Sequence, residues 1–200
     1  MMQMTRTLAL IPALLFVLTN VLAGSAHAQH VELGAFADYS NTNIATFPHN
    51  ALGLGGRVDF NLHHLLQAEF ETAYDFKYTS VVLATSSASA ALTSSELGIL
   101  HVNGGLKFQT RGGSFFLFAK GGVNRYDPVR TITTITGLPI VSSTTPASPN
   151  AFTESIFYPG CGIGFHAGPL GIRLDVGDEI YWSNGAHHNF RATFGPTLRF

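Results

Sequence analysis

The sequence has one cysteine, Cys161, among its 200 residues. A secreted domain that is stabilised by disulfides carries an even set of cysteines, so this source of stability is excluded. Lysine is also scarce, with Lys77, Lys107 and Lys120 as the only three, whereas soluble surfaces usually carry many more charges. The formal net charge of −1 gives no indication of a nucleic-acid partner.

The first residues have the composition of a targeting segment. An apolar run over 8–22 follows the single charge of Arg6 and precedes the small residues of Ala26-His27-Ala28, as in a secretory signal peptide with an A-x-A cleavage site. The run is shorter than the ~20 residues that a membrane anchor, the alternative, would need. We therefore expect 1–28 to be a signal peptide that is removed on export, and 29–200 to form one domain.

Amphipathic helix patterns are absent after the signal segment, and alternating segments recur instead. Each is close to or above the ~9–11 residues with which a tilted strand crosses a bilayer. The eight predicted strands cover 30–39, 51–61, 65–78, 96–109, 114–126, 153–166, 170–182 and 188–200.

Short and longer connections alternate between these strands. The short ones are "NLHH", "TRGG" and "AGPLG", and three of the other four are long and rich in Ser, Thr, Asn and Pro. This pattern is typical of an all-β, eight-stranded antiparallel up-and-down transmembrane β-barrel with tight periplasmic turns and larger external loops. Strand eight must then pair with strand one, and Pro196, which cannot donate a hydrogen bond to the ladder, predicts an irregularity near that seam.

The charged residues indicate which face of the strands points inward. Fifteen of them share one alternation, eight acidic and seven basic, and this balance suits an interior in which buried charges must pair. On the lipid side, a Lys or Arg at mid-membrane would cost about 2–4 kcal/mol. The predicted interior charge network consists of Glu32, Asp38, Arg57, Asp59, Glu69, Glu71, Asp75, Lys77, Lys107, Lys120, Arg173, Asp175, Glu179, Arg191 and Arg199.

Four strand charges fall outside this alternation: Glu96, Arg125, Glu154 and Asp178. All four are near the predicted external strand ends, where a charge facing lipid costs only ~0–1 kcal/mol.

Aromatic residues cluster at both predicted rims, as expected of the girdles that flank the apolar band of such barrels. The predicted girdle consists of Tyr39, Phe60, Phe76, Tyr78, Phe108, Phe115, Phe165, Trp182 and Phe190.

The strand segments as a group resemble the small bacterial outer-membrane barrels of the OmpA/OmpX type, within the porin family. The segments that carry the resemblance are "GLGGRVDFNLHHLLQAEFETAYDF", "LHVNGGLKFQT", "FFLFAKGGVNRY", "GIRLDVGD" and "HNFRATFGPTLRF". The resemblance implies a monomer in the bacterial outer membrane, in contact with outer-membrane lipid and lipopolysaccharide. It also implies that the terminal Phe200 is the signal read by the barrel-assembly machinery.

The stretch "YWSNGAHH" raises the alternative of a lipid A-modifying enzyme, because the lipid A deacylase family uses a His-x-Ser-Asn stretch. Ser183 and Asn184 match this stretch, but Tyr181 stands where the family has its histidine base, and without a base the serine is not activated. His187 and His188 are the possible substitutes, at a spacing that departs from the family. We expect no catalytic residue and a polar turn here.

The sequence predicts no cofactor or metal site. The pairs His63-His64 and His187-His188 should lie at opposite barrel ends, where they cannot share one ion, and only His49 could join the second pair. The glycine-rich stretches at 53–56 and 160–164 precede no helix, so they do not indicate a phosphate loop. A narrow pore for ions or small solutes is a further alternative, although eight strands leave an interior that side chains fill.

The external loop at 131–145, "TITTITGLPIVSSTT", has two interpretations. Its two β-prone runs predict a hairpin that prolongs the fifth and sixth strands and offers an exposed edge for an extracellular ligand. The alternative is a disordered Ser/Thr-rich loop. The expected function is a non-enzymatic, structural or surface-binding role through the external loops.

Overall fold

The described part of the chain consists almost entirely of strands. The computed structural model describes residues 31–42, 50–85, 89–110, 114–136, 141–146, 150–183 and 185–200, so the predicted signal peptide lies outside the described residues. The strands are β1 (Val31–Asn41), β2 (Asn50–His63), β3 (Leu66–Thr85), β4 (Ser89–Gln109), β5 (Phe115–Thr136), β6 (Val141–Pro146), β7 (Phe152–Ala167), β8 (Leu170–Trp182) and β9 (Ala186–Arg199). Within these ranges there is no helix long and apolar enough to cross a membrane.

Eight of these strands form a closed antiparallel barrel. Each pairs with its neighbour in the chain, β5 pairs with β7, and β9 pairs with β1 to close the circle. Among the described residues, the β6 strand pairs only with the last residues of β5, so it is not one of the eight strands of the barrel wall. The predicted eight-stranded up-and-down barrel is confirmed.

The two ends of the barrel differ in their connections. One end carries the short connections β2–β3, β4–β5 and β7–β8, and we call it the turn end. At the other end β3, β4 and β5 extend beyond their predicted bounds, to Thr85, from Ser89 and to Thr136, and we call it the hairpin end. The segment at 79–95, predicted as a loop, is therefore mostly a hairpin, because its Val, Leu and Thr residues favour extended backbone.

The extensions pair with one another as a four-stranded sheet, which we call the outer sheet. It consists of 79–85 of β3, 89–96 of β4, 129–136 of β5 and β6. The register of β6 on β5 runs from Thr131 opposite Pro146 to Thr136 opposite Val141. The hairpin interpretation is thus confirmed for the described residues that prolong the fifth strand, whereas β6 is a strand separate from β7, the predicted sixth strand.

A β-bulge interrupts the alternation of β3 near the hairpin end. Asp75 is opposite Ile99, whereas Tyr78 is opposite Leu97, so Phe76 and Lys77 together oppose one residue of β4. Such an insertion puts an extra residue on one side and reverses the alternation beyond it.

The seam between β1 and β9 has the irregularity that Pro196 predicts. The ladder runs from Glu32 opposite Arg199 to Gly34 opposite Thr197 and resumes at Ala37 opposite Phe194, with no change of register. The two rows between them, at Pro196 and Gly195, are not paired with β1. The prediction of a local break is confirmed.

Candidate functional site: the charged interior and the two rims

The predicted interior charges converge in the lumen of the barrel. All of them except Lys77 and Arg199 are buried. Arg199 lies at the turn end with about a third of its side chain exposed, and its Nε donates to Glu32 Oε2 at 2.8 Å.

Ion pairs near the turn end cross the lumen. Arg173 on β8 contacts Asp59 Oδ2 at 2.9 Å and Glu69 Oε2 at 2.7 Å, on β2 and β3. It also binds Asp175, which in turn pairs with Arg57. Because β3 and β8 lie on opposite sides of the circle, these side chains span the lumen.

A second group of ion pairs lies nearer the hairpin end. Arg191 on β9 contacts Asp38 at 2.5 Å, Glu71 at 2.8 Å and Glu179 at 3.1 Å. Lys120 links the two groups, since its Nζ lies 2.5 Å from Glu69 Oε1 and 2.6 Å from Glu71 Oε2. The result is one continuous network that binds the walls of the barrel to each other.

The predicted inward position of Lys77 is wrong. The β-bulge turns it outward, where its Nζ pairs with Asp127 Oδ2 at 2.8 Å and 35% of its side chain is exposed. The bulge also places the backbone of Tyr78 in register with Leu97, so the unbroken alternation assumed for the girdle does not extend past Asp75. Neither departure could be read from alternation, because alternation assumes an unbroken register.

His101 is an interior residue that the sequence interpretation missed. Its Nδ1 lies 3.2 Å from Glu179 Oε1 and its Nε2 lies 3.2 Å from Asp75 Oδ2. Both ring nitrogens face carboxylate acceptors, and both can donate only in the imidazolium form. A charged His101 compensates for the loss of Lys77, giving seven cations against eight carboxylates in the network. The signal in the sequence was the position of His101 in the strand, because it alternates in phase with Lys107 and therefore lies on the same, inward face.

Aromatic rings also line the interior, and three of them pack against a glycine on the neighbouring strand. Phe36 is directly opposite Gly55, Phe118 opposite Gly160 and Phe116 opposite Gly162. An added Cβ on any of these glycines would collide with the facing ring. The cations lie over the same rings, with Arg57 4.2 Å from the Phe36 centroid, and Arg173 and Lys120 each 4.4 Å from Phe116 and Phe118 respectively.

The outward face is apolar between two aromatic rims. Leu52, Leu54 and Phe70 are each at least 58% exposed. Of the predicted girdle, Phe76, Phe108, Phe115, Phe165, Trp182 and Phe190 are exposed, while Tyr39 and Phe60 are half-buried. Phe200 is exposed at the turn end.

The predicted outward position of Glu154 is wrong. Glu154 is directly opposite the buried Asn124 and so shares the inward side.

The residues considered for catalysis are near one another without forming a nucleophile–base pair. His187 stacks on Tyr181 at 4.8 Å, and its Nε2 lies 2.8 Å from the backbone carbonyl oxygen of Ser183. His188 Nδ1 pairs with Asp178 Oδ2 at 2.6 Å. Both histidines are therefore engaged with groups other than the Ser183 hydroxyl. Asn184 lies outside the described residues.

Two interior groups have the spacing of metal ligands. Asp38, Asp75 and His101 form one, and Glu69, Glu71 and Asp175 form the other, with ligand atoms within 4.8 Å of each other. Arg191, Lys120 and Arg57 already neutralise most of these carboxylates, so the arrangement is that of a protein ion-pair network.

The histidine pairs lie at opposite ends of the barrel. His63 and His64 are in contact at the β2–β3 turn, with ring centroids 3.9 Å apart, whereas His187 and His188 begin β9 at the hairpin end. His49 lies outside the described residues.

A closed eight-stranded barrel with an ion-paired interior, an apolar outer wall and aromatic rims defines the class: the fold is that of the small outer-membrane β-barrels. Comparison with solved structures agrees. Ail, the attachment invasion locus protein of Yersinia pestis, is similar with a TM-score of 0.51 and 12% identity, over 86% of this chain and 97% of that one.

Two further solved structures are similar to this chain at lower TM-scores. Ail in complex with the heparin analogue sucrose octasulfate has a TM-score of 0.49 and 11% identity, over 86% of this chain and 97% of that one. The N-terminal β-barrel domain of OprF from Pseudomonas aeruginosa has a TM-score of 0.41 and 15% identity, with the same coverage. No protein-family model matches the sequence, and no curated protein matches it either.

Proposed function

We propose that the protein is a monomeric, non-enzymatic β-barrel of the bacterial outer membrane that binds extracellular ligands through its outer sheet. The turn end then faces the periplasm and the hairpin end faces the exterior. Residues 1–28 direct export, and Phe200 is the signal for the barrel-assembly machinery. The outer sheet is the observation that carries the binding role.

The outer sheet has two edges without a partner strand among the described residues. Beyond Asp75, β3 pairs only with β4, and β6 pairs only with β5. Neither 79–95 nor 131–146 contains a charge, although charged residues are the usual protection of an edge against pairing. These edges are suited to adding a strand from a partner.

The β3 edge also exposes apolar side chains. Val81, Val82 and Leu83 are consecutive and are 57%, 60% and 63% exposed. Consecutive strand residues point to opposite faces, so both faces of this part of the sheet are apolar and uncovered. Exposed apolar patches of this kind mark interaction sites.

A cell-binding experiment tests this role. Cells that display the protein are applied to a panel of immobilised extracellular proteins, and retained cells are counted. We expect retention on at least one of them, a clear loss on deletion of 131–145, and a similar loss with Val82→Lys, which puts a charge on the β3 edge. Leu62→Lys, at a site 58% exposed near the turn end, is the matched control and should bind normally.

The barrel itself must survive these changes. Heat-modifiable migration of each detergent-solubilised variant reports on the folded barrel, and all variants should retain it. Unchanged retention for both the deletion and Val82→Lys would reject the outer sheet as the binding site. Loss of the folded barrel on deletion of 131–145 would show that the sheet and the barrel are not separable.

The absence of enzymatic activity has its own test. Expression of the protein should leave the mass spectrum of cellular lipid A unchanged. A shifted spectrum that Ser183→Ala restores would instead establish a lipid A-modifying enzyme.

A further inference from the structure

Arg125 is an exposed cation on the outer wall of the barrel, near the hairpin end. Its neighbours in sequence, Asn124 and Tyr126, are both buried in the lumen, so Arg125 points outward. It lies in register between Leu100 of β4 and Thr153 of β7. Within the described part of the chain no carboxylate lies within ion-pair distance of its guanidinium.

A second cation lies on the same part of the wall. Lys77 is turned outward by the β-bulge, and its ammonium group reaches across Gly98 to Asp127. Asp127 is two residues from Arg125 on the same side of β5. An added Cβ on Gly98 would lie 2.9 Å from the Tyr74 hydroxyl and 3.2 Å from Lys77 Cγ. The missing side chain of Gly98 thus leaves room for both groups.

These four residues, Tyr74, Lys77, Arg125 and Asp127, form what we call the outer patch. Its formal charge is +1, from two cations and one carboxylate. Lys77 is engaged by Asp127, while the Arg125 guanidinium has no ion-pair partner among the described residues and can donate to a ligand. The Tyr74 hydroxyl adds a neutral donor, with 41% of the residue exposed.

The height of the outer patch follows from strand geometry. Arg125 is ten residues along β5 from Phe115, an aromatic residue of the turn-end rim. At ~3.4 Å per residue and a tilt of roughly 40°, that distance corresponds to about 25 Å, the height of the apolar band of such barrels. Arg125 therefore lies at the boundary of the apolar band nearest the hairpin end.

Guanidinium and ammonium groups with an adjacent hydroxyl are suited to a phosphate group. In the outer membrane, the phosphate monoesters of lipid A are anions at the external boundary of the apolar band. We propose that the outer patch binds a lipid A phosphate monoester, with Arg125 as the principal ligand. The inference depends on the proposed outer-membrane location and is independent of ligand binding by the outer sheet.

Asp127 limits the affinity of the site. It holds Lys77 and adds a negative charge beside the phosphate position. Removing this carboxylate frees the ammonium and raises the charge of the patch from +1 to +2. Substitutions at Arg125 and Asp127 should therefore change binding in opposite directions.

The test uses the full mature chain refolded in neutral detergent, with lipid binding followed by native mass spectrometry. The probes are bisphosphorylated lipid A, lipid A from which the phosphates have been removed, phosphatidylglycerol and inorganic phosphate. We expect Arg125→Gln to weaken binding of bisphosphorylated lipid A roughly tenfold, the effect of losing one charge-assisted hydrogen-bonding group. Asp127→Asn should strengthen it several-fold. Arg199→Gln, at the opposite rim, is the control and should bind normally.

The outcomes separate the possible sources of phosphate. Binding of bisphosphorylated lipid A that depends on Arg125 and disappears with the dephosphorylated lipid supports the proposal. An equal effect of Arg125→Gln on phosphatidylglycerol, or binding of inorganic phosphate as tight as that of lipid A, overturns the lipid A assignment. Unaltered lipid A binding by Arg125→Gln overturns the site. Heat-modifiable migration confirms that each variant is folded. Failure of the lipid A proposal would not change the cell-binding results that test the outer sheet.

Discussion

Single residues of the interior have several partners each, and Arg191, like Arg173, contacts three carboxylates. It is fully buried and contacts carboxylates from β1, β3 and β8. A buried charge is costly once it has lost its partner, so the stability of the barrel depends on the completeness of the network more than on any one pair.

Arg191→Met should therefore destabilise the barrel by about 3–5 kcal/mol, because it leaves three buried carboxylates undercompensated. Urea unfolding of the refolded protein measures this, with the fluorescence of the single tryptophan, Trp182, as the signal. Arg199→Gln removes a cation that is about one third exposed and has one described partner, and it should cost at most about 1 kcal/mol. Equal costs for the two variants would show that burial of the network is unimportant.

Glycines next to each other in β5 differ in the space around them. A Cβ on Gly122 would overlap the backbone carbonyl of Val102 and the side chain of Asn103, whereas a Cβ on Gly121 would have its nearest neighbour, the Ile156 carbonyl, at 3.9 Å. Gly122→Ala should cost about 1–3 kcal/mol through overpacking, and Gly121→Ala should have little effect. The same urea assay compares them, and similar costs would contradict a steric origin.

At the scale of elements, the ladder at the seam between β1 and β9 is incomplete, as is the β7–β8 ladder, which lacks the rows at Tyr158 and Pro159. Pro196 has no N–H, and the ladder to β1 is interrupted beside it. Pro128 in β5 shows the contrast, because its row with Leu97 of β4 is intact. The position of a proline, and not its presence, decides whether a ladder is broken.

Pro196→Ala should restore a donor at the seam and stabilise the barrel by about 0.5–1.5 kcal/mol. Pro128→Ala offers no comparable gain and should be neutral or slightly destabilising, since it only increases the freedom of the unfolded chain. Urea midpoints decide between these outcomes. A Pro196→Ala variant no more stable than Pro128→Ala would exclude the missing donor as the weak point.

Strand number, order and inward face followed from the sequence, because alternation with period two and the cost of charges in lipid act on every residue of a strand. The bulge at Phe76 and Lys77 could not be predicted, since it depends on the register between β3 and β4. It accounts for the wrong placement of Lys77 and for the outer patch. The role of His101 was missed because a histidine at an inward position is not distinctive until its two carboxylate partners are known.

For the whole molecule, the ion pairs that span the lumen bear on transport. Arg173, Lys120 and Arg191 are each at most 2% exposed and connect strands across the barrel. Eight strands enclose an interior that side chains fill, so no wide path remains through this network.

Purified protein in planar lipid bilayers should therefore show no large, stable conductance steps. The matched control is the bilayer with detergent alone. Reproducible large steps that depend on the added protein would refute the closed interior and revive the narrow-pore alternative.

The network also has a consequence for the order of events in assembly. Its pairs join distant parts of the chain: Arg191 meets Asp38 across 153 residues and Arg173 meets Asp59 across 114. A partial barrel that lacks β9 keeps Asp38, Glu71 and Glu179 without their shared cation, so its lumen must stay hydrated until the last strand arrives. Contacts so distant in sequence make folding slow. Closure of the sheet and expulsion of the interior water are thus expected to occur together as a single late step. Until that step, the open barrel needs protection from aggregation.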